Sequence, residues 1–100
     1  MRNKLEIYWS EESVKKTDQI ILFLNKNWSE KEIESFLNAL YSFEDIVTYF
    51  PEIYPESQLL TGYRRAVLLK HISIIYTIEH NTILIHTLFD NRQDPSNLTI

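Results

Sequence analysis

The sequence predicts an α+β fold in which an N-terminal strand leads into an antiparallel helical hairpin. That hairpin packs on an antiparallel sheet completed by a three-stranded C-terminal meander, in the order β-α-α-β-β-β. Three observations carry this. The chain opens on alternating apolar residues. Two long stretches of helical periodicity follow with almost nothing between them. From Tyr63 to Leu98, three runs rich in Val, Ile, Leu, Phe and Tyr are separated by short polar breaks.

Leu5, Ile7 and Trp9 alternate with Lys4, Glu6 and Tyr8, the period-two pattern of a half-buried strand. Ser10 is a natural N-cap, and Glu11 and Glu12 place negative charge at the positive end of the helix dipole. Val14, Thr17, Ile21, Leu24 and Trp28, flanked by Ile20, then fall at helical steps, giving about four turns of amphipathic helix. Asn27 and Trp28 end it. Ser29-Glu30-Lys31-Glu32 is a capping box that opens a second helix. Its stripe of Ile33, Phe36, Leu37, Leu40, Tyr41, Val47 and Phe50 runs to Pro51, a span of ~30 Å. The stretch from Pro51 to Gln58 holds two prolines and reads as an extended return path, and Gly62 precedes the meander.

Within the meander, the runs Ile72 to Ile78 and Ile83 to Phe89 meet at Glu79-His80-Asn81-Thr82. A two-residue loop at His80-Asn81 sets Ile78 opposite Ile83, Tyr76 opposite Ile85 and Ile74 opposite Thr87. One face then carries Ile72, Ile74, Tyr76, Ile78, Ile83, Ile85 and Phe89. The other carries Ser73, Ile75, Thr77, Leu84, His86 and Leu88, too apolar for a solvated face, so a partner is expected there. A tight Lys70-His71 turn pairs Arg64 with Thr77 on this mixed face and Arg65 with Tyr76 on the core face, where a helix acid such as Glu44 or Asp45 is its expected partner. A bulge reverses that assignment.

With 100 residues and 44% hydrophobic content, the chain supports one domain, 1–100, ending in a polar tail over 90–100. There is no cysteine, which excludes disulfides and thiolate metal sites. His71, His80 and His86 are dispersed and lack spaced carboxylate partners, so neither a metal nor another cofactor is expected. No stretch approaches a membrane span and no apolar leader follows Met1, so a soluble, cytoplasmic protein without membrane partners is expected. The net charge of -4 argues against wholesale nucleic-acid binding, and no direct sequence-specific DNA binding is expected. Charge is nonetheless uneven: Arg64, Arg65 and Lys70 meet only Glu79 between Tyr63 and His86, whereas Glu30 to Asp45 holds five acids against Lys31. Trp9, Trp28 and Phe50 lie on core-facing periodicities and read as packing rather than as a base-stacking platform.

The element order, the Trp9-Ser10-Glu11-Glu12 opening, the Pro51…Tyr54-Pro55 link, the Tyr63-Arg64-Arg65 start, the Ile74-Ile75-Tyr76 strand and Arg92-Gln93-Asp94-Pro95…Leu98 together resemble the RelE/ParE superfamily of bacterial toxins. The resemblance covers nearly the whole chain. It implies a type II toxin–antitoxin role, with a cognate antitoxin as partner and a flexible antitoxin segment wrapped on the toxin. Two activities exist within the superfamily: RelE-like members cleave messenger RNA on the ribosome, and ParE-like members inhibit DNA gyrase. The RelE pattern carries an Arg three residues before the strand tyrosine, where this chain has Ser73, and commonly a C-terminal aromatic, whereas none follows Phe89. The ending at Arg92 resembles ParE-like members, so DNA gyrase is the first expected target and the ribosome the alternative. A third reading is a non-toxic family member that only binds antitoxin.

On these grounds Arg64 and Arg92 are the target-binding candidates, and Ile75, Leu84, His86 and Leu88 the antitoxin-binding ones. In the ribonuclease alternative, Arg64, His86 and Arg92 form the catalytic set, His86 as general acid or base. The competing readings are structural: a hydrogen-bonded His86 inside the strand, and an Arg92 ion-paired with Asp90 or Asp94.

Overall fold

A computed structural model describes residues 4–58 and 60–90. Along it run β1 (Glu6–Trp9), α1 (Glu11–Asn27), α2 (Glu30–Tyr49), β2 (Arg64–Leu69), β3 (Ile72–Glu79) and β4 (Thr82–Asp90), in the expected order. Asp90 closes β4, and the rest of the expected polar tail, Arg92 included, lies outside the described residues.

The strands form one sheet in the order β1-β4-β3-β2. The meander is antiparallel, but β1 joins β4 in parallel, Ile7 beside Ile83 and Trp9 beside Ile85, so the sheet is mixed. A period-two pattern is the same whichever way a strand runs. Only the path of the helical hairpin decides the direction.

Ser10 caps α1 as expected, its hydroxyl accepting from the Ser13 amide at 3.0 Å. It also donates to the His86 carbonyl at 2.9 Å, which ties the start of α1 to β4. At Ser29 the helix begins where expected without the side-chain bonds of a capping box; the Glu32 amide donates to the Ser29 carbonyl instead.

Both helices bury most of the expected stripe, Ile20 and Leu24 in α1 and Phe36, Leu40 and Val47 in α2, and depart from it at particular positions. In α1 the buried residues are Ser13, Ile20 and Leu24, while Val14 and Trp28 are about half exposed. In α2 they are Phe36, Leu40, Phe43, Val47 and Thr48, while Tyr41 and Phe50 face outward. Periodicity alone identifies a helix but leaves its phase open when apolar residues occupy more than one stripe. Phe43, absent from the expected stripe, is fully enclosed, and its ring meets Tyr54 and Tyr76 at centroid distances of 5.5 and 5.7 Å. Burying each of Phe36 and Phe43 contributes about 2–3 kcal/mol.

Two β-bulges set the rest of the geometry. The β3–β4 hairpin turns at His80 (φ 49°) and Asn81 (φ 63°), both left-handed, as a two-residue type I′ loop requires. Ile78 pairs with Ile83 and Tyr76 with Ile85 as expected, but Ile75 then pairs with Thr87 and Ile74 with Leu88. His86 is the extra residue. The expected Ile74–Thr87 pairing is therefore one residue out; Leu88 turns onto the helix-covered face and Phe89 onto the other.

A second bulge at Leu68 acts likewise. The Lys70-His71 turn forms, yet Val67 pairs with Ser73, Arg65 with Ile75 and Arg64 with Tyr76. The two arginines thus exchange the faces assigned to them from the sequence. The core beneath the hairpin comprises Ile20 and Leu24 of α1, the α2 stripe, and Ala66, Ile72, Ile74, Tyr76, Ile83, Ile85 and Leu88 of the sheet.

Candidate functional site

Strand alternation puts Arg65, Val67, Ser73, Ile75, Thr77, Leu84 and Phe89 on the sheet face away from the helices, with Tyr8 of β1 beside Leu84. The bulged His86 joins them, its ring lying edge-on to Tyr63 at 5.0 Å. Its Nε2 is 2.7 Å from the Thr77 hydroxyl. Burial pushes the His86 pKa below its ordinary value, against an upward pull from the Glu79 carboxylate.

Arg65 closes the centre of this face. Its Nε donates to the Ser73 hydroxyl at 3.0 Å, and its guanidinium carbon sits 5.5 Å from the Phe89 ring centroid. Ser73 and Ile75 are almost wholly enclosed without belonging to the helical core cluster, and Thr87, paired with Ile75, is fully buried with its hydroxyl 3.5 Å from Glu12 Oε2 at the start of α1. Val67 and Tyr8, by contrast, are 58% and 59% exposed. The expected partnership of Arg65 with Glu44 or Asp45 does not form, because Arg65 lies on the opposite face and Glu44 accepts from Trp9 Nε1 at 2.9 Å.

Arg64 points to the other side of β2. Its Nη1 donates to the Tyr54 carbonyl at 2.6 Å and reaches the Glu52 carbonyl at 3.4 Å. Tyr76 donates its hydroxyl to the Pro51 carbonyl at 2.6 Å, so the two side chains together clamp the segment that follows α2. Burial pushes the Tyr76 phenol up to about 12, with the nearby Arg64 cation acting in the opposite direction. This is a structural clamp, and it faces away from the open side of the sheet.

The residues singled out from the sequence therefore separate. Arg64 and His86 occupy opposite faces, and Arg92 lies outside the described residues. Leu84 is partly exposed on the open face; Ile75 shares that face but offers no surface; Leu88 is a core residue on the helix side. Among the described residues, no three of His, Asp and Glu converge in the way a metal site requires, and no helix is long and apolar enough to cross a membrane. Sequence reasoning missed Arg65 and Phe89 as residues of this face. The signal lay in the apolar spacing Ile83, Ile85, Leu88, which steps by two and then by three. Away from the open face, a cleft of about 240 Å³ between the helices is floored by Leu37 and Leu40 and rimmed by Trp9, Val14, Asp18 and Tyr41.

Compared by sequence, the chain matches no protein-family model and no curated protein. Compared by structure, it is similar to a chain of the chromosomal ParDE TA system from P. aeruginosa, with a TM-score of 0.69 at 12% identity over 87% of this chain and 96% of that one. It is also similar to a chain of the RelBE2 toxin–antitoxin complex from Mycobacterium tuberculosis (TM-score 0.61, 14% identity, 88% and 99% covered). A third likeness is to a chain of the DinJ–YafQ toxin–antitoxin complex from E. coli (TM-score 0.60, 14% identity, 90% and 96% covered). Likeness at such identity establishes architecture: this chain has the fold of the RelE/ParE toxins.

Proposed function

We propose that this chain is the toxin of a type II toxin–antitoxin pair, that it acts in the cytoplasm by binding DNA gyrase, and that a cognate antitoxin silences it. The observation that carries the binding reading over a catalytic one is the separation of two of the catalytic candidates, Arg64 and His86. Arg64 holds backbone carbonyls on the helix side, while His86 is hydrogen-bonded to Thr77 on the other. Cleavage of RNA needs an acid–base group and a charge-stabilising cation on one phosphodiester. The greater similarity to the ParDE chain than to the RelBE2 chain supports the same choice.

One observation favours the ribosome-dependent endoribonuclease as the second reading. Arg65 brings a guanidinium to Ser73, the position where the RelE pattern carries arginine, and does so on the face of His86 and Tyr63. Controlled expression in cells lacking the antitoxin decides between them. The gyrase reading expects growth arrest with altered DNA supercoiling and intact messenger RNA. Rapid mRNA cleavage at ribosomal A-sites with unchanged supercoiling overturns it for the second reading, and unaffected growth points to a non-toxic antitoxin-binding protein.

A further inference from the structure

Three elements meet at the cleft between the helices. Asp18 comes from α1, Leu37, Leu40, Tyr41 and Glu44 come from α2, and Trp9 stands at the end of β1. The floor is apolar, two aromatic rings stand at the rim, and both charged groups are carboxylates; no lysine or arginine lines it. Glu44 is half-buried, and the Trp9 indole fixes its carboxylate by donating from Nε1 to Oε2 at 2.9 Å. Among the described residues neither Glu44 nor Asp18 forms an ion pair, the salt bridge there being Lys16 with Glu12. A carboxylate partly withdrawn from water without a counter-ion is incompletely compensated, and the aromatic faces beside it attract the same sign of charge that would complete it. At about 240 Å³ the cleft is smaller than the ~300–1,000 Å³ of sites for drug-sized ligands, so it suits a small occupant.

We infer that this cleft binds a small organic cation, an ammonium or guanidinium group on an apolar body. The body packs on Leu37 and Leu40, and the charge is directed to Glu44 and Asp18 beside the Trp9 and Tyr41 rings. An anion meets two carboxylates with no cation to oppose them, and a neutral apolar molecule leaves Glu44 unpaired. The cleft lies on the helical hairpin, apart from the sheet face that carries Arg65 and His86, and its ligand is independent of the target and partner proposed above. Because the lining joins both helices to β1, an occupant ties the three elements together and stabilises the folded chain by mass action.

The test titrates the full chain, at constant ionic strength, with phenethylammonium chloride, its neutral counterpart phenethyl alcohol, and ammonium chloride. Amide and indole N–H resonances and Tm are followed. Phenethylammonium is expected to bind in the millimolar range or tighter, to move the Trp9 indole N–H and the amides of Leu40 and Glu44 while leaving the Trp28 indole in place, and to raise Tm. Phenethyl alcohol is expected to bind at least about tenfold more weakly, and ammonium alone to leave these resonances unmoved. E44Q, which keeps an oxygen for the Trp9 N–H, weakens the cation about five- to tenfold, and D18N, at the exposed rim, about two- to threefold; neither changes binding of the alcohol. Y41A, at a side chain 62% exposed, also weakens the cation. Circular dichroism establishes that each variant is folded, and D18N and Y41A carry the comparison if E44Q is not. The inference is overturned if cation and alcohol bind alike, if the folded variants bind the cation as wild type does, or if the shifted resonances lie outside the cleft. It is also overturned if phenethylammonium shows no saturable binding up to about 10 mM, or if a Lys-rich amphipathic peptide, and not phenethylammonium, binds at these residues.

Discussion

Arg64 and Arg65 are neighbours in the sequence and lie on opposite faces of β2, and their surroundings divide the molecule in two. On the helix side, Arg64 and the Tyr76 hydroxyl are directed at the carbonyls of Pro51, Glu52 and Tyr54, so these polar groups serve to hold the chain in place. On the far side, Arg65 rests against one hydroxyl and one ring and keeps donors to spare. The difference comes from coverage. Polar groups packed under the helices must be satisfied internally, whereas a half-buried side chain outside the helical layer can keep donors to spare.

The sharpest test of this division replaces matched residues on the two faces. Phe36→Ala, in the fully enclosed α2 stripe, is expected to cost about 3–5 kcal/mol in chemical denaturation, the largest loss among these substitutions. Leu88→Ala is expected to cost about 2–5 kcal/mol and Leu84→Ala under about 1.5 kcal/mol, although the two lie four residues apart on one strand. Equal losses at Leu84 and Leu88 would mean that the open face is packed as tightly as the core.

Tyr76→Phe removes one hydrogen bond to Pro51 and is expected to cost about 1–1.5 kcal/mol at neutral pH. Its pH dependence has a definite sign. The phenol's pKa is near 10 unfolded and about 12 folded, so the folded state binds more protons between these values, and stability is full below pH 10 and lost as pH rises toward 12. Denaturation midpoints measured across that window should fall steeply for wild type and less so for Tyr76→Phe. Arg64→Gln should cost about 1 kcal/mol through the loop carbonyls it releases, and Arg65→Gln within about 0.5 kcal/mol. A reversed order would show Arg65 to be the structural arginine.

The smallest expected effect concerns His86, whose folded pKa is depressed. The unfolded state then binds the extra proton, so its contribution is present above pH 6.5 and lost as pH falls through 6.5 toward the folded value. Thermal melts of His86→Asn between pH 5 and pH 7 should lose that part of the acid dependence.

The local elements were legible because each rests on short-range chemistry. Ser10 as a cap, the stop before Pro51, the left-handed His80-Asn81 loop and the pairings of Ile78 with Ile83 and Tyr76 with Ile85 follow from neighbouring residues alone. So does the order of strands and helices, since periods of 2 and 3.6 are properties of the chain itself. The direction of β1, the inward turn of Ser13 and Phe43 in the helices and the two bulges were decided by tertiary packing. Each is a choice between arrangements of similar local energy, and contacts across long stretches of sequence select one. The open face bears the consequence. One extra residue at Leu68 and one at His86 moved Leu88 into the core, brought Phe89 out, and exchanged Arg64 for Arg65. Side chains alternate with a period of two, so a single inserted residue reassigns every position beyond it.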